Sequence, residues 1–318
     1  MGVPNKSGGH CGREDRAMSK HILITGGTGF IGSKLVPHWG SLGHRITVLT
    51  RDPGRGARLL GKSVKFVKDF AEVTDKVDWV INLAGEGIAD KRWSEPRKAE
   101  LRASRVTLTE SLVRWAKSTG QHFELVLTGS AVGYYGSVAG STPSFNESSA
   151  PGTGFSASLC IDWEQAADPL QEISERIVWL RTGIVLGQHG GMLKRMWLPF
   201  SLGLGGVIGS GDQIISWIHR DDYIRALDFI TEHSLSGAVN MTAPYPAMNR
   251  EFTRTLGRAI NRPTLFPMPA FAAGMVFGEM SELLLQGQKV LPTALMTAGF
   301  TFQYPNLSQA LEVIAAEW

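Results

Sequence analysis

The chain is poor in cysteine: Cys11 and Cys160 are the two in 318 residues. Two thiols so far apart make neither a disulfide framework nor a metal-ligand spacing, so no metal is expected and a cytoplasmic, reducing compartment is. No apolar run approaches the roughly 20 residues that a membrane-spanning helix needs, and no membrane partner is expected. The formal net charge of +3 is too small to argue for nucleic acid. There is no internal repeat and no low-complexity stretch. What remains is 43% hydrophobic and 19% charged, enough to bury one large core or two modest ones.

Residues 1–17 are polar, with mixed charge at Lys6, Arg13, Glu14, Asp15 and Arg16 and no signal-peptide core. They read as a disordered N-terminal extension, with Met18 as the natural first residue. From 18 to 183 strand and helix alternate, the signature of a parallel doubly wound sheet. Ile22–Ile24, Ile46–Thr50, Val64–Val67, Trp79–Leu83, Leu125–Thr128 and Ile177–Arg181 are the strands, and Glu95–Lys117 is the clearest helix. After Gly183 the alternation weakens. Asn249–Ile260, Ala270–Leu285 and Leu307–Ala316 look helical, so 184–318 is expected to be a smaller substrate lobe over the C-terminal edge of the sheet. The fold class is α/β: a Rossmann-like doubly wound parallel sheet with a smaller, mostly helical C-terminal substrate lobe.

The first strand runs into Gly26-Gly27-Thr28-Gly29-Phe30-Ile31-Gly32 and then a helix. Gly26 permits the sharp turn, Gly29 the approach of a pyrophosphate, and Gly32 close packing of helix on sheet, with the helix N-terminus facing the anion. A dinucleotide is expected there, held by Gly26, Thr28, Gly29, Phe30, Ile31 and Gly32. An NAD site puts an acid at the end of the second strand. This chain has Thr50-Arg51, and a guanidinium suits a 2′-phosphate, so NADP is expected over NAD. Asp52 is placed to reach a ribose instead, and Arg51 would then be a solvated arginine in a loop shared with Arg55 and Arg58.

The glycine turn, Asn82-Leu83-Ala84-Gly85, Gly129-Ser130-Ala131, Arg181-Thr182-Gly183 and Trp217-Ile218-His219-Arg220-Asp221-Asp222 together resemble the extended short-chain dehydrogenase/reductases, which include the nucleotide-sugar epimerases. Through Gly85-Glu86, Lys91-Arg92-Trp93, Tyr134-Tyr135-Gly136, Leu202–Gly206 and Gln286-Gly287-Gln288-Lys289 the chain is similar to the atypical YfcH-type epimerase-family proteins, from about Lys20 to its end. The resemblance implies that Asp69 lies beside the adenine, that Leu83, Ala84 and Gly85 line the ribose and nicotinamide side, and that Glu100 and Arg105 face the cleft. The last two read equally as solvated helix charges.

The wider family uses a serine and a Tyr-x-x-x-Lys, whose tyrosine passes a proton as hydride moves and whose lysine lowers the tyrosine's pKa. Ser130 matches the serine. The tyrosine and lysine positions read as Phe155 and Leu159, and neither transfers a proton. Tyr134 or Tyr135 is a substitute phenol, or both are walls of the substrate cleft. Ile215 stands where nucleotide-sugar enzymes carry an arginine for the diphosphate, which speaks against a sugar nucleotide; Lys194 and Arg195 are expected to compensate toward an anionic ligand. His219 is a substrate contact or a structural cap. The glycines from Gly203 to Gly211 lack a following Lys-Ser or Lys-Thr and read as turns over the cleft. Two functions follow: an NADP-binding oxidoreductase or epimerase-like enzyme acting on a small carbonyl or sugar-like substrate, or a non-catalytic NADP-binding structural or redox-sensing protein. A homodimer through the helices on the sheet face is compatible with either.

Overall fold

A computed structural model describes residues 19–138 and 143–318, so the extension expected at 1–17 lies outside the described residues. Seven parallel strands form one sheet: β1 (His21–Thr25), β2 (Arg45–Leu49), β3 (Lys65–Val67), β4 (Trp79–Asn82), β5 (Leu125–Ala131), β7 (Ile177–Thr182) and β11 (Gly237–Met241). Their order is β11-β7-β5-β4-β1-β2-β3. Strands covered on both faces read as continuous apolar runs, and Ile22, Leu23 and Ile24 are all fully buried.

One face is covered by α1 (Gly32–Ser41) and α7 (Arg220–Glu232), through Leu35, Val36 and Trp39 and through Ile224, Leu227 and Ile230. The other is covered by α4 (Leu108–Ser118) and α5 (Phe155–Ala167), through Leu112, Val113 and Ala167. At the β3 edge lies α2 (Pro53–Leu60). The helix expected over Glu95–Lys117 is interrupted: α3 (Glu95–Arg102) passes through a π-helical stretch, Ala103–Thr107, before α4. Such a bulge rotates the following side chains around the axis, which the apolar spacing does not reveal.

The second half does not remain apart from the sheet, as the expected boundary at 183 implies. α7 and the seventh strand β11 both return to the main core. The sequence Gly-Ala-Val-Asn-Met of β11 is too short and too weakly apolar to read as a strand alone. The separate part of the lobe packs α6 (Gly191–Ser201), α8 (Asn249–Ala259) and α12 (Leu307–Ala316) through Leu193, Phe200, Phe252, Leu256, Leu311 and Ile314. The helix expected over Ala270–Leu285 breaks at Gly278, whose φ of +59° ends α9 (Ala270–Phe277) before α10 (Glu282–Leu285). One short strand pair ties the halves together, β6 (Ser144–Phe145) with β13 (Lys289–Val290), while β8 (Ile184–Leu186) with β10 (Trp217–His219) and β9 (Ile214–Ile215) with β12 (Ala247–Met248) pair within the second half. After β13, α11 (Thr293–Thr297) brings Leu295 into the main core. Among the described residues no helix is long and apolar enough to cross a membrane.

Two glycines of α1 differ in their surroundings. A Cβ at Gly32 would stand 2.4 Å from the Gly26 carbonyl oxygen, backbone that cannot move aside, whereas a Cβ at Gly40 would meet nothing within 4 Å. Gly32→Ala is expected to destabilise the protein by about 1–3 kcal/mol. Gly40→Ala, which removes helix-interior backbone freedom, is expected to stabilise it by about 0.5–1 kcal/mol. Urea unfolding of the two variants beside wild type checks both signs.

Candidate functional site

The glycine turn sits at the C-terminal end of β1. Gly26 has a φ of +73°, and a Cβ there would lie 2.8 Å from the backbone of Leu83 and Ala84. The turn and the loop after β4 are therefore in backbone contact, and Thr25 joins them by accepting from the Ala84 amide and donating to Asn82. Gly29 donates to the Gly26 carbonyl, while the amides of Thr28, Phe30 and Ile31 find no acceptor among the described residues. Open amides at a helix N-terminus favour an anion. The turn therefore fits a dinucleotide pyrophosphate. The Phe30 ring does something else. It packs where a Cβ at Gly187 or Gly190 would be, under the Arg220 guanidinium at 4.8 Å, so Phe30 offers the cleft only its backbone.

At the adenosine end the two rival side chains separate. The Asp52 carboxylate caps α2 by accepting from the Arg55 amide. The Arg51 side chain is 92% exposed and held only by Glu86, at 2.8 Å. Thr50 accepts from the Asp52 amide at 3.4 Å. Asp69, after β3, caps a short 3₁₀ turn through the Ala71 amide and stays exposed. Glu100 is ion-paired to Arg97, which holds its carboxyl below the usual range. Arg105 is no solvated helix charge: burial lowers its pKa, and it donates to the Glu86 and Leu101 carbonyls beside Gly85. It braces the loop holding Leu83, Ala84 and Gly85. Glu86, quoted in a motif but given no role from sequence, accepts from Arg51 and lies 3.9 Å from the Arg97 guanidinium.

Ser130, at the end of β5, is 4% exposed and donates to Glu164 at 2.6 Å. Glu164 in turn receives two bonds of 2.9 Å from the buried Arg181 guanidinium. Burial works against that charge, but the Glu164 carboxylate raises the Arg181 pKa above its ordinary value. Tyr135 is 2% exposed; it donates to Asn240 at 2.7 Å and accepts from Arg181 at 3.1 Å. Burial pushes its phenol pKa up. These bonds correct the expectation that Tyr135 is a catalytic phenol, because its hydroxyl is enclosed and committed. Tyr134 is placed differently from Tyr135. It is half-buried, and the Arg181 guanidinium lies 3.5 Å from its ring centre. Glu164, Asn240 and Glu147, whose carboxylate accepts from the Asn240 and Ala294 amides, escaped sequence reading because they lie in no motif.

Phe155 and Leu159 do not face β5. Phe155 packs edge-on to Trp93, and Leu159 is buried with Trp93, Leu101 and Met280. One residue further on, Ser156 and Cys160 meet the turn at Gly133. Burial pushes the Cys160 thiol up to about 12, and the Ser156 hydroxyl is buried with no partner among the described residues. On α5 itself neither position of the usual pair carries a phenol or an ammonium; the ammonium near the helix start is that of Lys98 on α3, 5.3 Å from the Phe155 ring centre. A metal is not supported either: no group of three His, Cys, Asp or Glu side chains suited to one occurs among the described residues.

On the substrate side, Lys194 is exposed on α6, and its neighbour Arg195 reaches across to Asp90 at 2.5 Å and to the Ala89 carbonyl. Ile215 is buried at 9% exposure in β9. Of the glycines from Gly203 to Gly211, Gly203, Gly209 and Gly211 turn the chain at positive φ, and Gly205 and Gly206 allow close packing. A Cβ at Gly205 would overlap Phe200 and one at Gly206 the Phe266 carbonyl.

Three comparisons extend the geometry. Residues 22–242 match the model of the NAD dependent epimerase/dehydratase family, and residues 268–314 match a domain of unknown function, DUF1731. The chain is 43% identical over 293 residues to epimerase family protein Mb2239 of Mycobacterium bovis, covering 91% of this chain and 96% of that one. It is 37% identical over 296 residues to epimerase family protein SAR0825 of Staphylococcus aureus, covering 92% and 98%. The crystal structure of human epimerase family protein SDR39U1 (isoform 2) with NADPH superposes with a TM-score of 0.83 at 34% identity, over 94% of this chain and all of that one. A UDP-glucose 4-epimerase of Thermotoga maritima, at 18% identity and a TM-score of 0.75 over 93% and 97% of the two chains, shares the fold.

Of the two readings of His219, its geometry matches the structural cap. It is 4% exposed, its Nδ1 accepts from the Asp221 amide to cap α7, and its ring lies 4.1 Å from that of Tyr304. Burial lowers its pKa below the ordinary 6.5, as it does for His21 and His44. A base whose folded pKa is depressed binds more protons unfolded, so its contribution is fully present above the unfolded value and is lost as pH falls through the folded one. The thermal midpoint is expected to fall as pH drops below about 6.5. In His219→Asn, where an amide oxygen keeps the cap without titrating, the fall should be shallower, with His21 and His44 supplying the rest. Melting curves across that range check the slopes.

Proposed function

This chain belongs to the NAD dependent epimerase/dehydratase family, and from that premise we propose that it is an NADPH-preferring oxidoreductase or epimerase-like enzyme for a small carbonyl or sugar-like substrate, in which Tyr134 replaces the usual phenol. One observation carries the cofactor preference: Asp52 is engaged in capping α2, while the Arg51 side chain is exposed, with a single ion pair to Glu86. A carboxylate so engaged is a poor partner for a ribose hydroxyl, and a guanidinium matches a phosphate. The NADPH found with the human relative agrees with this reading. Thr28, Phe30 and Ile31 would hold the pyrophosphate by their amides, Arg51 the 2′-phosphate, Asp69 the adenine side, and Leu83, Ala84 and Gly85 the ribose and nicotinamide side. A bound nicotinamide cofactor supplies or accepts hydride.

The protein's own part is to position the substrate and to handle a proton at the substrate oxygen. With Tyr135 and Ser130 engaged in buried bonds, Tyr134 is the phenol left to do so, its ring resting on the Arg181 cation. Lys194, exposed on α6, suits a substrate carrying negative charge. The buried isoleucine at 215 leaves no diphosphate clamp there, which favours a small substrate over a sugar nucleotide.

Calorimetric titration with NADPH and NADH tests the cofactor. NADPH is expected to bind more tightly, and Arg51→Ala to weaken NADPH about tenfold or more while leaving NADH nearly unchanged, since hydrogen bonds to a charged group contribute about 1.5–3 kcal/mol. Equal binding of both nucleotides, or no effect of the variant on either, would sink the preference. Hydride exchange between NADPH and a panel of small carbonyl compounds tests the chemistry: Tyr134→Phe should cut turnover by about 10²–10⁴ with NADPH affinity retained. NADPH binding with no turnover across the panel would favour the non-catalytic reading.

A further inference from the structure

The lobe beyond the cleft carries an edge on which exposed leucine and phenylalanine adjoin unpaired arginine. Leu198, Leu202, Leu204, Leu265 and Phe266 are between 54% and 74% exposed. They fall on two segments that pair along their length. The Arg262 Nε donates to the Ser201 carbonyl at 2.9 Å, Leu204 bridges Thr264, and the Phe266 amide donates to the Gly205 carbonyl at 3.3 Å. Gly206, where any Cβ would meet the Phe266 carbonyl at 1.8 Å, lets the segments come this close. The apolar side chains thus stand on adjoining turns, not scattered over the surface. A contiguous exposed apolar patch marks an interaction site.

Beside it, Arg254, Arg258 and Arg262 recur at intervals of four along α8 and the turn that follows. With Asn261, Pro263 and Thr264 they line a shallow depression of about 590 Å³. All three are exposed, and none is ion-paired among the described residues. Within 184–211 and 252–278 the charged residues are Lys194, Arg195, which pairs with Asp90, and these three arginines, with Asp212, Glu251 and Glu279 flanking the two segments.

From this juxtaposition we infer that the edge is a peripheral docking surface for an anionic phospholipid bilayer, with the arginines on lipid phosphates and the Leu202–Leu204 and Leu265–Phe266 turns in the headgroup region. Arginine beside leucine and phenylalanine is the composition that binds such an interface, each cation near an anionic leaflet adding to the attraction. A second copy is disfavoured as occupant, because a symmetric pairing would oppose the same unpaired arginines to one another. The absence of a membrane span, from which no membrane partner was expected, does not bear on a surface contact.

Co-sedimentation of the full chain with phosphatidylcholine vesicles, with and without phosphatidylglycerol, tests this. Wild type should bind the phosphatidylglycerol vesicles at least about tenfold better than the neutral ones and be released by added salt. Arg254→Gln with Arg258→Gln should weaken binding about thirtyfold. Leu265→Ser with Phe266→Ser should also weaken it, and each variant's thermal midpoint shows that it is folded. Because wild type alone reports the lipid and salt dependence, a variant that fails to fold leaves the test intact. Binding to neither vesicle, or binding indifferent to phosphatidylglycerol and salt, overturns the inference. Light scattering that shows a wild-type dimer made monomeric by Leu265→Ser with Phe266→Ser also overturns it and gives the edge to a second copy. None of these readouts depends on nucleotide binding, so failure here leaves the proposed function standing.

Discussion

A guanidinium that is 5% exposed must find acceptors for nearly all of its N–H groups, and Arg181 finds them in three separate parts of the chain. Both oxygens of Glu164 on α5 accept from it, the Tyr135 hydroxyl accepts from the turn after β5, and the Glu147 carbonyl accepts from the segment after β6. Glu147 extends the set: its carboxylate takes the amides of Asn240 in β11 and Ala294 in α11. Removing one partner of such a buried pair strands a charge, at a cost of about 3–5 kcal/mol. The network therefore fixes α5, the sheet and the last fifty residues relative to one another, and it decides which polar groups near the cleft remain available. Ser130 and Tyr135 are among its spokes, which is why two residues that look like reaction groups are instead held in place.

The C-terminal segment completes the site from the other side. Met280 packs against Leu159 and Trp93, with Phe277 and Leu283 around them, so the helix face that carries Phe155 and Leu159 is covered by residues of the segment that matches DUF1731. β13 then pairs with β6, and Asn240 donates to the Leu291 carbonyl. A lysine ammonium at position 159, buried in this apolar cluster, would cost far more than the leucine there. The loss of the usual proton-handling pair and the presence of the extra segment are thus two sides of one packing arrangement.

Much of this was legible from the residues. Strands such as Ile22–Ile24 announce themselves because burial on both faces demands unbroken apolar runs, and the glycine turn because only glycine tolerates backbone at the distances found there. Arg51 and Asp52 could be weighed against each other only up to a point, since a cap on α2 becomes visible once the helix start is known. β11 stayed hidden because Gly237–Met241 gains its strand character from pairing with β7, not from its own composition. Tyr135 and His219 stayed open to two readings for a common reason. A phenol or imidazole in a motif carries no mark of which way it points, and both turn inward to partners, Asn240 and the Asp221 amide, that lie in other elements or in the next turn.

The cleft is consequently built from two unlike halves. Around the glycine turn the groups open to an anion are backbone amides, with the exposed Arg51 nearby, and the turn is positioned by close backbone contacts. Around Tyr134 everything depends on long-range side-chain bonds converging on one buried charge. A site of the first kind keeps its ligand through extensive sequence change, because its geometry resides in three glycines and a helix start. A site of the second kind changes function when a single spoke is reassigned. That asymmetry explains how the dinucleotide half can keep the pattern of the wider family while the half that meets the substrate has exchanged its proton-handling pair for apolar packing.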